Sequence, residues 1–246
     1  MDTLGAMRRA VILAGGLGTR LRPYTTVLPK PLMPVGDRPI LDIVVRQLAR
    51  ARFDRITIAT GYLAELIEAF FGDGTRYGIP IDYFREDEPL GTVGALSLID
   101  GLDQDFLVMN GDILTDIDYS ALLEHHREGG QTATIAAHER DVEVSLGVMK
   151  LEDNADPALV TGYLEKPVLS YVVSMGVYCF APRVRAHIPA GQRLDLPDLV
   201  LRLIDAGEAV RAWRSDDHWF DIGRHDDYEQ AQEEFNQLRD RFLPDK

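Results

Sequence analysis

The chain has 246 residues, 46% hydrophobic and 27% charged, with a formal net charge of −14. That length suits one α/β domain, or one domain carrying a small inserted lobe, and the composition is that of a soluble globular protein. The acidity argues against nucleic acid as a main partner, no apolar run reaches the roughly 18 residues of a membrane span, and one cysteine, Cys179, allows no intrachain disulfide.

Residues 9–13 (Arg-Ala-Val-Ile-Leu) read as a buried first strand that ends at glycines. A proline-rich loop follows, with Pro23, Pro29, Pro31 and Pro34, and these exclude regular helix. Apolar residues at 40, 41, 44, 45 and 48 give a helix over 40–50. A strand at 55–60, a helix at 63–71, a strand at 79–84, a helix at 93–99 and a strand at 105–109 come next. Such alternation predicts a Rossmann-like, mainly parallel sheet with helices on both faces, and ligands in such sheets sit at the carboxyl ends of the strands. After 123 the pattern changes to strands at 132–137, 146–151, 160–164 and 172–180, a smaller β-rich lobe capping the sheet. Helices are expected again at 198–205 and 226–238. The whole chain, 1–246, reads as one domain in three parts, 1–125, 126–225 and a C-terminal helix segment, 226–246.

The stretch Leu13-Ala14-Gly15-Gly16-Leu17-Gly18-Thr19-Arg20-Leu21-Arg22-Pro23 lies at the end of the first strand. It is not a dinucleotide fingerprint, because Leu21 stands where the third glycine is needed, and not a P-loop, because no Lys-Ser or Lys-Thr pair follows. Its small residues let backbone N–H groups approach an anion, and Arg20 and Arg22 can make charge-assisted contacts to phosphate oxygens. Between Thr3 and Gly36 there are five basic residues (Arg8, Arg9, Arg20, Arg22, Lys30) and no acid; all 40 acidic residues lie outside this stretch. A cationic patch inside a repelling global field points to a small polyanion held at short range. Taken alone, Lys30 reads as a solvated loop lysine, Asp112 as a turn aspartate capping the next segment, and Glu165-Lys166 as a surface ion pair.

The loop, followed by Leu28-Pro29-Lys30-Pro31-Leu32, resembles the signature of the sugar-1-phosphate nucleotidyltransferases. Further blocks recur in order: Glu88-Pro89-Leu90-Gly91-Thr92, Asn110-Gly111-Asp112, Glu165-Lys166-Pro167, Gly176-Val177-Tyr178 and Trp219-Phe220-Asp221-Ile222-Gly223. They span residues 11–223. The Glu88–Thr92 block and the Trp219–Gly223 ending are most similar to the guanylyltransferase branch, which makes GDP-mannose and GDP-heptose. No β-helical extension of the kind some members carry is expected in the residues after Gly223.

The resemblance implies NTP plus sugar 1-phosphate giving NDP-sugar and pyrophosphate, GTP favoured, with UTP, dTTP, CTP or ATP as alternatives. Arg20, Lys30, Asp112 and Lys166 would be catalytic. Leu13, Ala14, Gly15, Gly16, Gly18, Thr19, Arg20, Lys30, Glu88, Gly91, Thr92, Asn110, Gly111 and Asp112 would bind the nucleotide. Gly147, Glu165, Lys166, Ser174 and Gly176 would bind the sugar phosphate, and Asp112 with Asp221 would hold Mg²⁺. Two departures fall on the sugar side: Ser145-Leu146-Gly147 where the mannose branch has Arg-Tyr-Gly, and Ser174-Met175-Gly176 where it often has Asn-Ala-Gly. The sugar is therefore open to a heptose, an amino sugar or a cyclitol phosphate. A non-catalytic nucleotide-sugar sensor on the same fold is the competing reading, disfavoured because the catalytic set is intact. A cytoplasmic location is expected, and a homo-oligomer is compatible with the sequence.

Overall fold

The structure, a computed structural model, describes residues 6–152, 156–223 and 225–243. Its elements in chain order begin with β1 (Arg9–Ala14), β2 (Pro34–Val35), β3 (Arg38–Pro39), α1 (Ile40–Arg50), β4 (Arg55–Thr60), α2 (Ala64–Phe71), β5 (Ile81–Arg85), β6 (Phe106–Asn110) and β7 (Ile113–Thr115). They continue with α3 (Tyr119–Gly129), β8 (Ala133–Glu143), β9 (Val148–Leu151), β10 (Val160–Leu164), β11 (Val168–Phe180), α4 (Leu196–Asp205), β12 (Val210–Arg214), β13 (Trp219–Asp221) and α5 (His225–Phe242).

Seven strands form the central sheet in the order β12-β8-β11-β6-β1-β4-β5. β1 runs parallel to β4 and β6, β4 to β5, and β12 to β8; β11 alone is antiparallel to its neighbours β6 and β8. The expected mainly parallel sheet is therefore present. β1 shows why both faces are covered. Its side chains alternate, so Ala10, Ile12 and Ala14 join one core and Val11 and Leu13 face another. On the first face α1, α2 and α3 pack through Leu41, Val44, Ile67, Phe71 and Leu122; on the second, α4 packs through Leu196, Leu199 and Leu203. Each such buried side chain contributes roughly 1.5–3 kcal/mol. A third core forms where α5 places Ala231, Phe235 and Phe242 against Phe220 of β13, Leu114 of β7 and Ile40 of α1.

Several expectations change. The helix expected at 93–99 is a short 3-10 turn, Gly94–Ser97, since Gly91 and Gly94 lie against Leu194 and Gln192 and leave no room for a longer coil. A helix, α3, occupies residues 119–129, where the sequence pattern predicts no element; the Asp118 carboxylate caps it by accepting from Ser120 N and Ala121 N, and Gly130 at φ 60 ends it. β8 and β11 are longer than expected. Their inner halves are strands of the main sheet, and only their outer halves, with the β9–β10 pair, stand apart as a lobe. β12 and β13 are also additions. The proline loop holds three short 3-10 turns and no α-helix. The C-terminal segment expected to reach 246 lies outside the described residues from 244 on.

Candidate active site

A cleft of about 840 Å³ opens at the carboxyl ends of β1, β4, β5 and β6. Its floor is backbone. Gly15 follows β1 and Gly61 follows β4, and a Cβ on Gly61 would stand 2.9 Å from the Gly15 carbonyl oxygen, so the two segments pass at a distance only glycine permits. Gly18 takes φ 60 and starts the turn Thr19–Leu21. Buried Leu21 anchors that turn from below, and the buried Thr25 hydroxyl donates to the Gly18 carbonyl at 2.7 Å. With these two anchors inside, the intervening Arg20 is left exposed at the cleft.

The second wall brings distant residues together. Gly111 N donates to the Leu13 carbonyl at 2.9 Å and fixes the turn between β6 and β7 beside the glycine loop. Asp112 in that turn receives the Lys30 ammonium on Oδ2. Lys30 itself is buried, 8% exposed, as the first residue of the turn Lys30–Leu32. Beside β7, β13 pairs antiparallel with Asp221 opposite Ile113, and Ile222 N donates to the Asp112 carbonyl at 3.1 Å. Asp221 Oδ1 accepts from Gly223 N at 2.9 Å. A Cβ on Gly223 would lie 2.8 Å from both Asp221 Oδ1 and an Arg20 guanidinium nitrogen, and would collide with the Lys30 ammonium. Arg20, Lys30 and Asp221 thus converge on one bare glycine, and Asp112 joins them through Lys30.

The far end of the cleft is stitched from two loops. Val93 N donates to Leu194 O and Leu194 N to Leu90 O. Thr92 N donates to Asp195 Oδ1 at 3.1 Å, while Thr92 Oγ1 accepts from Leu196 N at 2.6 Å. Gly91, at φ 76, has no space for a side chain, because a Cβ would stand 2.6 Å from the Leu194 carbonyl. Half-buried Glu86 lines the same end and accepts from Leu90 N at 3.3 Å. Burial pushes its carboxyl above the usual range, and the Leu90 N–H opposes that only in part.

Of the residues expected at the nucleotide, Leu13 to Gly16, Gly18, Thr19, Arg20, Lys30, Gly91, Thr92, Asn110 and Asp112 line the cleft. Gly111 lies behind it, and Glu88 is exposed outside it. Gly176, at φ 75, abuts the cleft, since a Cβ there would be 2.9 Å from Asn110 Nδ2. Ser174 stands nearby, with its hydroxyl 2.7 Å from the Tyr178 phenol. Gly147, Glu165 and Lys166 lie out on the β8–β11 lobe, exposed and apart from the cleft lining. Sequence reasoning missed Glu86, Asp87, Arg193 and Asp195. Asp195 stands directly before Leu196-Pro197, a helix-start pattern; it makes no capping bond to its own helix and holds Thr92 instead.

Two carboxylates from paired strand ends fit a magnesium ion, which takes one or two protein carboxylates and completes its shell with water and substrate phosphates. Among the described residues no group of three acidic, His or Cys side chains gathers as an all-protein metal cage, and no helix is long and apolar enough to cross a membrane.

Comparison with known proteins identifies the family and the fold. The family described as "Nucleotidyl transferase" matches residues 9–237. A UTP–glucose-1-phosphate uridylyltransferase of Synechocystis sp. is 37% identical over 243 residues, covering 91% of this chain and 62% of that protein. A mannose-1-phosphate guanylyltransferase of Mycobacterium tuberculosis is 30% identical over 223 residues, covering 89% of this chain and 62% of that protein. The chain therefore spans somewhat less than two thirds of the length of these relatives. Among solved structures, HddC from Yersinia pseudotuberculosis complexed with GMP-PN superposes with a TM-score of 0.72 at 26% identity, covering 93% of this chain and 100% of that one. A UDP-glucose pyrophosphorylase complexed with UDP-glucose shares the fold at a TM-score of 0.70 and 18% identity, covering 95% and 100%.

Proposed function

We propose, from the premise that the chain belongs to the nucleotidyl transferase family, that it transfers a nucleoside monophosphate from an NTP to a sugar 1-phosphate. One observation carries the reading: Arg20, Lys30 and Asp221 meet at Gly223, with Asp112 on Lys30, at the edge of a cleft floored by glycine backbone. Two polyanions must be brought together, so positioning and charge neutralisation are the main demands on the protein.

In this mechanism a phosphate oxygen of the sugar 1-phosphate attacks the α-phosphorus of the NTP. The new P–O bond forms as the bond to pyrophosphate breaks, and pyrophosphate leaves in line. The backbone of Leu13 to Gly18 and the Thr19 hydroxyl hold the triphosphate. Arg20, exposed at the cleft, neutralises charge that grows on the departing pyrophosphate. Lys30 binds phosphate oxygens from a buried stem. Asp112 and Asp221 would hold Mg²⁺, which supplies charge neutralisation between nucleophile and target when bound. Glu165 and Lys166, with Gly147, Ser174 and Gly176, serve the sugar phosphate. A location where NTP is abundant, the cytoplasm, suits this chemistry.

GTP is the nucleotide this reading favours, and Glu86 supports it. Guanine presents two adjacent donors, N1–H and the N2 amino group, which match the two acceptor oxygens of a carboxylate. Uracil and thymine present one N–H between two carbonyl oxygens, so a carboxylate facing that edge sets oxygen against oxygen. Gly91 and Thr92 complete the base end. The test is a pyrophosphate-release matrix, each NTP against a panel of mannose, heptose, glucose and amino-sugar 1-phosphates. Turnover confined to GTP rows is expected. Release only with UTP would overturn the base assignment, and a blank matrix with tight NDP-sugar binding would overturn the enzyme.

A further inference from the structure

The stretch Ser145-Leu146-Gly147 carries no aromatic hydroxyl of its own. In the folded chain a phenol arrives there from another strand. β9 and β10 pair antiparallel, with Leu164 opposite Val148 and Tyr163 opposite Met149, and Gly147 directly precedes β9. A Cβ placed on Gly147 would collide with the hydroxyl and ring of Tyr163, so the ring lies over the bare α-carbon. Any side chain at 147 would evict it.

The Tyr163 hydroxyl then donates to Glu165 Oε2 at 3.3 Å. The two segments are also joined by Val144 N, which donates to the Pro167 carbonyl at 3.0 Å. Between them Lys166 takes φ 44, a left-handed conformation for a residue with a side chain and one directly before proline. Such backbone persists only where surrounding structure fixes it. Tyr163 is 60% exposed, so the residue stands at the surface while it holds the carboxylate.

We propose that Tyr163 is a specificity-determining residue of the sugar subsite. It holds one Glu165 oxygen, leaves the other for a ligand, and offers its own lone pairs beside it. Two acceptors side by side on an exposed surface fit two neighbouring ring hydroxyls. The substrate class is therefore a sugar 1-phosphate with a free vicinal diol at the end read by Glu165, and a deoxy or N-acetylated group at either carbon is rejected. The inference rests on the nucleotidyltransferase reading, which gives Glu165 to the sugar.

The test compares wild type with Tyr163→Phe, which deletes one oxygen, and with Gly147→Ala, which displaces the ring. The preferred sugar 1-phosphate and its monodeoxy analogues are measured by turnover and by saturation-transfer NMR binding. Tyr163→Phe is expected to raise the sugar-phosphate KM about five- to tenfold, the loss of one net hydrogen bond. The fall in kcat is smaller, the NTP KM holds, and discrimination against one monodeoxy analogue collapses. Gly147→Ala reproduces that pattern. Wild-type discrimination retained in Tyr163→Phe would overturn the inference. A merely structural role is recognised by a lowered melting temperature and a raised NTP KM with discrimination intact, and that also overturns it. Wild type that binds sugar phosphate without turnover would overturn the enzymatic reading instead, leaving the phenol to be judged from the NMR data; wild type that neither binds nor turns over sinks both.

Discussion

The glycine-floored cleft and the β8–β11 lobe grow from one sheet, yet they fix their functional atoms by different means. In the cleft, each functional group is tied to the fold beneath it: Arg20 precedes buried Leu21, Asp112 follows the Gly111–Leu13 bond, and Thr92 is held by Asp195 and by Leu196 N. In the lobe, side chains rest on one another at the surface. Most of the exposed large apolar side chains among the described residues lie between Val142 and Val172. The lesson is a division of labour. On the proposed function, the groups that act on the phosphates are held by the core, and those assigned to the sugar are held by a few surface contacts, where one substitution re-aims a group without disturbing the fold.

The sharpest way to break that contrast is at the two aspartates. Asp112→Asn and Asp221→Asn each keep the shape of the turn and remove one charge. Turnover should fall by about 10³ or more, several kcal/mol of charge stabilisation; the fold is retained in both, with a lower melting temperature for Asp112→Asn, which leaves the buried Lys30 ammonium without its carboxylate. Full activity in either variant ends the metal assignment. Arg20→Ala comes next. It should lower kcat by roughly 10²–10³ with little change in sugar-phosphate KM, the pattern of a group that acts on developing charge. A change in KM alone would make Arg20 a ground-state anchor.

Glu86 gives a smaller effect with a clear sign. Glu86→Gln replaces one acceptor by a donor, which suits uracil better than guanine. The GTP-over-UTP ratio in kcat/KM should fall by about 10- to 100-fold, the ~1–3 kcal/mol of a bidentate base contact. The pH dependence follows from the raised carboxyl. Burial favours the protonated form, which has lost an acceptor, so the GTP KM should rise as pH falls, starting above the pH at which an ordinary glutamate titrates. The Gln variant should show a flat profile. For stability the sign is opposite: the folded state holds this proton more tightly than the unfolded one, so its contribution declines as pH rises through the shifted value.

How much was legible in the sequence follows the same division. The cleft was readable because its parts are local: a strand, a run of glycines, an Asn-Gly-Asp turn, each with its own grammar. α1 at Ile40–Arg50 and β4 at Arg55–Thr60 fell where their periodicity placed them. Glu86 and Asp195 were not readable, because their partners lie across the fold: Asp195 carries the signature of a cap and spends its carboxylate on Thr92, more than a hundred residues away in sequence. β8 and β11 were read too short, because a strand buried at one end and exposed at the other changes pattern midway. Tyr163 carried no signal at all, since its contact with Gly147 exists only once β9 and β10 pair.

The smallest predicted effect tests whether the lobe is as dispensable to stability as its exposure implies. Leu107 in β6 is fully buried between β1 and β11, and Leu107→Ala should cost about 2–5 kcal/mol, transfer plus cavity, read as a shifted denaturant midpoint. Leu146 is 72% exposed next to Gly147. Leu146→Ser removes little buried surface and should move the midpoint by no more than ~0.5 kcal/mol. The same variant should leave the NTP KM alone, since that half of the site is held from below. A loss at Leu146 comparable to that at Leu107 would mean that the lobe is covered in solution, and the two regions would then differ in partner rather than in construction.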